Sequence, residues 1–161
     1  VTLKVGQPEK IFSVHRGVLC RSSRLMQARL KPAGDAPTAS PPDTQPQRLE
    51  VVLQDEKPEV VRTYINWLYT GQLPAGFKPQ DTRFGGSRPK AGLALCELAG
   101  CYVFGEHLQD RGFQNAAIDA MGDSFRQDSG RSLYSVGSKV VSTIYERTPS
   151  SSPARRLLVD I

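Results

Sequence analysis

The side chains best suited to chemistry are few: two histidines, His15 and His107, and three cysteines, Cys20, Cys96 and Cys101. A nucleophilic or metal-dependent reaction needs several such groups converging on one point. Cys96 and Cys101 stand five residues apart in a helical pattern, about 140° apart around the axis, so one ion cannot take both. Neither has a Cys-x-x-Cys partner. Cys20 lies among Arg16, Arg21 and Arg24; nearby cations lower a thiol pKa, which makes it the candidate reactive thiol. His15 sits at a strand-to-helix junction, where an imidazole commonly satisfies buried backbone groups. His107 follows a helix predicted to end at Gly105, a position that complements the C-terminal dipole. Gly85-Gly86-Ser87 lacks both the lysine and the preceding strand of a phosphate loop. The acid pairs Asp55/Glu56 and Asp119/Asp123 fall on surfaces predicted to be exposed. The second is a like-charge i, i+4 pair, which reads as a solvated face rather than a catalytic dyad. No catalytic, cofactor or metal pattern emerges, so the chain reads as non-enzymatic.

The elements that must position these residues follow from periodicity. Val1, Leu3 and Val5 alternate with Thr2 and Lys4, and Ile11-Phe12-Ser13-Val14 forms a second β-rich run across turn residues 6–10. Helical spacing begins at His15 and carries Val18 and Leu19. Ser22-Ser23 can cap a second short helix bearing Leu25, Met26 and Leu30. Residues 32–47 hold five of the twelve prolines and read as a disordered surface loop. A third strand, Leu49–Leu53, leads to a helix opened by Pro58. There Val60, Val61, Tyr64, Ile65 and Leu68 form one stripe, and Gly71 is the expected left-handed cap. After a loose insertion, 74–90, residues Leu93–Phe104 carry Glu97 as their one charge, and a helix apolar nearly all round must be internal. Asp110 can cap the next helix, striped by Phe113, Ala116, Ala117, Ala120 and Met121. The tail predicts a helix begun by Ser138 (with Leu133, Val136, Val140, Val141 and Ile144), a Ser/Pro hinge at 150–153, and an amphipathic stretch, Ala154–Ile161. Strands followed by clustered helices give an α+β plan.

At 161 residues and 17.7 kDa the chain has the size of one decorated domain. No apolar run approaches the about 18 residues of a membrane span. No signal-peptide pattern opens the sequence, and the odd cysteine count argues against a disulfide scaffold. The expected setting is intracellular, cytoplasmic or nuclear. Net charge is +5, unevenly spread: residues 1–31 carry seven basic groups against one acid, whereas 91–125 carry one arginine against five acids. Opposed blocks can pair within the fold or across a subunit contact. The cluster Arg16, Arg21, Arg24, Arg29 and Lys31 raises nucleic-acid binding, but no aromatics interleave with it to stack bases, which points away from that partner.

Three runs carry a family resemblance. Residues 12–23, FSVHRGVLCRSS, resemble the F-x-V-H-(basic)-x-x-L-x-x-x-S core of BTB/POZ domains. Pro58-Glu59-Val60 through Asn66-Trp67-Leu68-Tyr69-Thr70-Gly71 are similar to the family's P-E-x-F…W-L-Y-T-G helix. Leu98-Ala99, Tyr102 to Leu108 and Gln114-Asn115-Ala116 resemble the pair of segments that completes it. The similarity covers about residues 1–125, with 126–161 as a C-terminal helical extension. It is greatest to BTB proteins of filamentous fungi, whose tails resemble Tyr145-Glu146-Arg147-Thr148-Pro149 and Arg155–Asp160. Many members place a helix before the first strand; the sequence here opens at the strand itself. The resemblance implies helices clustered against a small three-stranded sheet and a protein–protein interaction module, commonly a homodimer. Some relatives are substrate adaptors of cullin-3 ubiquitin ligases and others are scaffold or transcription-associated domains; both remain open. Carried over by position, the self-association surface comprises Arg16, Gly17, Cys20, Arg21, Arg24 and Gln27. The cullin-facing surface comprises Gln54, Asp55, Glu56, Lys57, Pro58, Tyr69 and Leu73.

Overall fold

The computed structural model describes residues 1–30, 49–74, 91–128 and 137–160. The Pro-rich loop 32–47, nearly all of the 74–90 insertion, and Lys31, Leu133 and Val136 lie outside the described residues.

Strands β1 (Thr2–Val5) and β2 (Lys10–Ser13) pair antiparallel, with Leu3 opposite Phe12. Strand β3 (Glu50–Leu53) joins the other edge of β1 in parallel, with Leu3 opposite Val51, so the order is β2-β1-β3. The alternation read from sequence sets the faces: Leu3, Val5, Val51 and Leu53 are buried, while Ile11 and Val52 flank Lys4 on the outer face. Between β2 and β3 come the short helices α1 (Arg16–Ser22) and α2 (Arg24–Arg29). After β3 follow α3 (Pro58–Thr70), α4 (Ala91–Leu108) and α5 (Arg111–Asp128), then α6 (Ser138–Arg147) and α7 (Pro153–Val159). This is the expected α+β arrangement of helices around a three-stranded sheet.

Helix α4 is the axis of the core, as its nearly uniform apolarity requires. Leu95, Leu98, Ala99, Cys101, Tyr102, Val103, Phe104 and Leu108 are all buried. It packs against α2, α3, α5 and α6. Tyr64, Trp67, Phe104 and Phe113 form an aromatic cluster between α3, α4 and α5, with Tyr64 edge-on to Phe104 and Phe113. The buried residues of α6 and α7, Val140, Ile144 and Ala154, join the same core.

Two boundary expectations fail for identifiable reasons. Gly105 does not end α4, which continues to Leu108 and turns at Gln109 (φ 53°). The glycine serves close packing instead, since a Cβ there would lie 2.9 Å from Gln114 Cγ. Gly71, by contrast, is the left-handed cap expected of it, at φ 68°. The segment 150–153 is not a free hinge: Ser152 is buried and its hydroxyl lies 2.9 Å from the Tyr102 hydroxyl. Docking on α4 fixes the turn where composition alone predicted looseness.

Candidate interaction surface

The α1/α2 elbow is shaped by two serines and one aspartate. Ser23 ends α1 and caps α2: its hydroxyl accepts the Met26 N–H at 3.1 Å and donates to the Leu108 carbonyl at 2.6 Å. Ser22 donates to Asp110 Oδ2 at 2.5 Å, and the Tyr64 hydroxyl donates to the same oxygen at 2.9 Å. Asp110 Oδ1 accepts the Phe113 N–H at 3.0 Å, the cap of α5 that the sequence predicts. The buried Asp110 carboxylate forms no ion pair among the described residues and is held by three donors. Burial, followed by the Asp110 charge, pushes the Tyr64 phenol well above its ordinary pKa. This node pins α1, α2 and α3 to the α4–α5 turn.

With those groups turned inward, Arg16, Gly17, Arg21, Arg24 and Gln27 face solvent. Arg16 folds back to donate to the Leu30 carbonyl. Cys20 is half-buried and its thiol points at the Met26 carbonyl, 3.8 Å away. Beside this face a groove runs between the α1/α2 elbow and the start of α5. Its two lobes, about 360 and 420 Å³, share Arg24, Gln109 and Arg111. The basic N-terminal block does not pair with the acidic 91–125 block through any ion pair among the described residues. Neutral hydroxyls bridge the two instead.

The second surface is divided by burial. Gln54, Asp55, Lys57 and Tyr69 are exposed and Pro58 is half-buried. Glu56 and Leu73 retain only 6% and 8% of their exposure, so these two cannot offer contact area as an exposed strip would. The expectation that Asp55 and Glu56 share an exposed surface fails for Glu56. The reason lies far along the chain: Arg147 of α6 donates to Glu56 Oε1 at 2.9 Å, and His107 Nδ1 lies 3.9 Å from the same oxygen. His107 itself belongs to the last turn of α4. His15 is exposed, and not engaged with buried backbone. Its Nδ1 lies 2.7 Å from the Tyr69 hydroxyl, which also accepts its backbone N–H at 3.1 Å. Tyr69 is therefore half exposed while its hydroxyl ties α3 to the start of α1.

Of the remaining chemical candidates, Cys101 is buried, and desolvation pushes its thiol up to about 12. Among the described residues no three His, Cys, Asp or Glu side chains stand close enough to hold a metal ion. No helix among them is long and apolar enough to cross a membrane. Two features were missed from sequence, the threefold use of Asp110 and the Glu56–Arg147 pair. Asp110 was legible as a cap; its other partners, 46 and 88 residues away, carry no local signal.

Residues 1–83 match the family described as BTB/POZ domain. No curated protein matches the chain closely enough to count as a relative.

Proposed function

The chain belongs to the BTB/POZ domain family, and from that membership we propose that it self-associates and recruits protein partners through the α1/α2 face, at Arg16, Gly17, Cys20, Arg21, Arg24 and Gln27. The family fold is a non-catalytic protein–protein interaction module. One observation carries the choice of surface: Ser22, Ser23 and Asp110 fix the elbow rigidly from within while its outer side chains stay in solvent. A rigid, exposed, arginine-bearing face suits an interface, where arginine is enriched. Sedimentation of the isolated chain tests it. A dimer or weaker self-association is expected, and Arg21→Glu with Arg24→Glu should weaken it while leaving the circular dichroism unchanged. A strict monomer at about 100 µM contradicts self-association, since a standard-sized interface binds more tightly.

The second surface supports a finer reading, a cullin-3 substrate adaptor that meets the ligase through Gln54, Asp55, Lys57, Pro58 and the exposed part of Tyr69. Copurification with cullin from native lysate supports the adaptor. Its absence beside a retained dimer favours a scaffold or transcription-associated module. The resemblance of Tyr145–Pro149 and Arg155–Asp160 to the tails of fungal members is the ground for reading the chain as a fungal-type member, and we further propose a setting in the cytoplasm or nucleus.

A further inference from the structure

The groove beside the elbow has a composition that self-association does not explain. Arg21 and Arg24 line it from α1 and α2, Arg111 and Asn115 from α5, Gln109 from the preceding turn and Glu106 from α4. Three arginines and one glutamate thus line it. Arg126 pairs with Asp123, Arg147 with Glu56, and Arg155 with the carbonyls of Tyr145 and Thr148, whereas the exposed Arg29 and Arg156 stand without such a partner among the described residues. The guanidinia of Arg21, Arg24 and Arg111 have no such partner among the described residues. Arg111 is moreover the first residue of α5, the positive end of a helix, where a cation is disfavoured. The Asp110 carboxylate at that same helix end is taken up by Ser22, Tyr64 and the Phe113 N–H and forms no ion pair with Arg111, so the groove keeps an excess of positive charge.

From this geometry we infer that the groove docks an Asp/Glu-rich peptide segment of a partner protein, its carboxylates meeting Arg21, Arg24 and Arg111. Guanidinium forks match carboxylates in bidentate geometry. The amides of Gln109 and Asn115 also line the groove; they both donate and accept, as a peptide backbone requires and a phosphodiester, which only accepts, does not. No aromatic side chain lines the groove to stack a base. The docking site overlaps the proposed self-association surface at Arg21 and Arg24 and extends beyond it through Arg111, so a change at Arg111 separates the two.

The test is fluorescence anisotropy with a labelled decapeptide of alternating Asp and Glu against the whole chain. The expected result is saturable binding at about 50 mM salt that weakens several-fold by about 200 mM, as screening requires. Arg111→Glu lies outside the proposed self-association surface and should raise Kd at least about tenfold, the loss of one hydrogen-bonded charge contact. It also suits the helix start, so lost binding would not reflect lost folding. Glu106→Gln should tighten binding. Sedimentation of Arg111→Glu should match the parent, which separates failure of this docking from failure of the dimer. No binding at 50 mM salt, binding indifferent to Arg111→Glu and Arg24→Glu, or tighter binding of an oligothymidine to the same groove each overturns the proposal.

Discussion

Replacing Asp110 with alanine removes the acceptor for three donors at once, and its cost can be assembled from the geometry. Loss of the α5 cap is worth about 1 kcal/mol. The Tyr64 hydroxyl is buried and the Ser22 hydroxyl partly so, and each loses a charged acceptor at 2.9 and 2.5 Å. Stranding such donors costs about 1–3 kcal/mol each, less where water reaches Ser22. The sum, about 3–5 kcal/mol, is a large share of the about 5–15 kcal/mol that holds a domain folded. Urea unfolding reads it directly: with a slope near 2 kcal/mol per molar, the midpoint should fall by about 1.5–2.5 M. Asp110→Asn keeps one acceptor oxygen but turns an N–H₂ toward existing donors, so it should recover only part of the loss. Tyr64→Phe should cost less, about 1–2 kcal/mol, because the carboxylate keeps two donors. A double-mutant cycle between Tyr64→Phe and Asp110→Ala should show coupling above about 0.5 kcal/mol. Additive effects, or a midpoint for Asp110→Ala within 0.5 M of the parent, would refute the node.

Arg147→Ala leaves the buried Glu56 carboxylate without its cation and should cost about 1–3 kcal/mol, moderated because Arg147 itself is partly exposed. Glu56→Gln keeps a hydrogen-bond acceptor and should cost less, and limited proteolysis should cut Arg147→Ala fastest around α6; equal stability of both variants and parent contradicts the clamp. The Cys101 thiol ionises near 9 when exposed and near 12 in the folded chain. Its contribution is therefore complete below pH 9 and is lost as pH rises toward 12, costing about 2 kcal/mol by pH 10.5. The urea midpoint should fall between pH 8 and 10.5 and fall less in Cys101→Ala, the remaining slope coming from groups raised in the same direction, the Tyr64 phenol and the Glu50-paired Lys4. Equal slopes in parent and variant dispose of this assignment.

Legibility in the sequence tracked the range of the interaction. Period-two alternation placed β1 and β3, and the stripe from Val60 to Leu68 placed α3, because both are decided within a few residues of chain. Caps were equally local: Ser23, Asp110 and Gly71 perform the roles their types and positions predict. Gly105 misled because a glycine that permits close approach looks, in sequence, the same as one that ends a helix. Glu56 misled because an acid beside Asp55 at a helix start reads as solvated. What buries it is Arg147, 91 residues later, in an extension whose placement no local pattern specifies. The groove was half visible: the sequence marked Arg21 and Arg24 as a basic face, but Arg111 joins them only because the elbow is pinned over the start of α5.

That pinning explains why stability and recognition meet at one place in this chain. Arg21-Ser22-Ser23-Arg24 alternates surface and interior: the two serines hydrogen-bond inward to Asp110 and Leu108, and the flanking arginines are thereby turned outward. Asp110-Arg111 repeats the device on the other side, a buried cap followed by an exposed cation. Each arginine thus stands next in sequence to a group whose position is fixed by an inward hydrogen bond, and little backbone freedom remains to spread the three charges apart. Holding like charges together is unfavourable without a counter-charge, so the node that stabilises the fold maintains a positive field the fold does not itself neutralise. A surface preorganised at that internal cost binds an acidic segment without first ordering its own side of the contact. Loosening the node should then reduce affinity even where every groove arginine is intact.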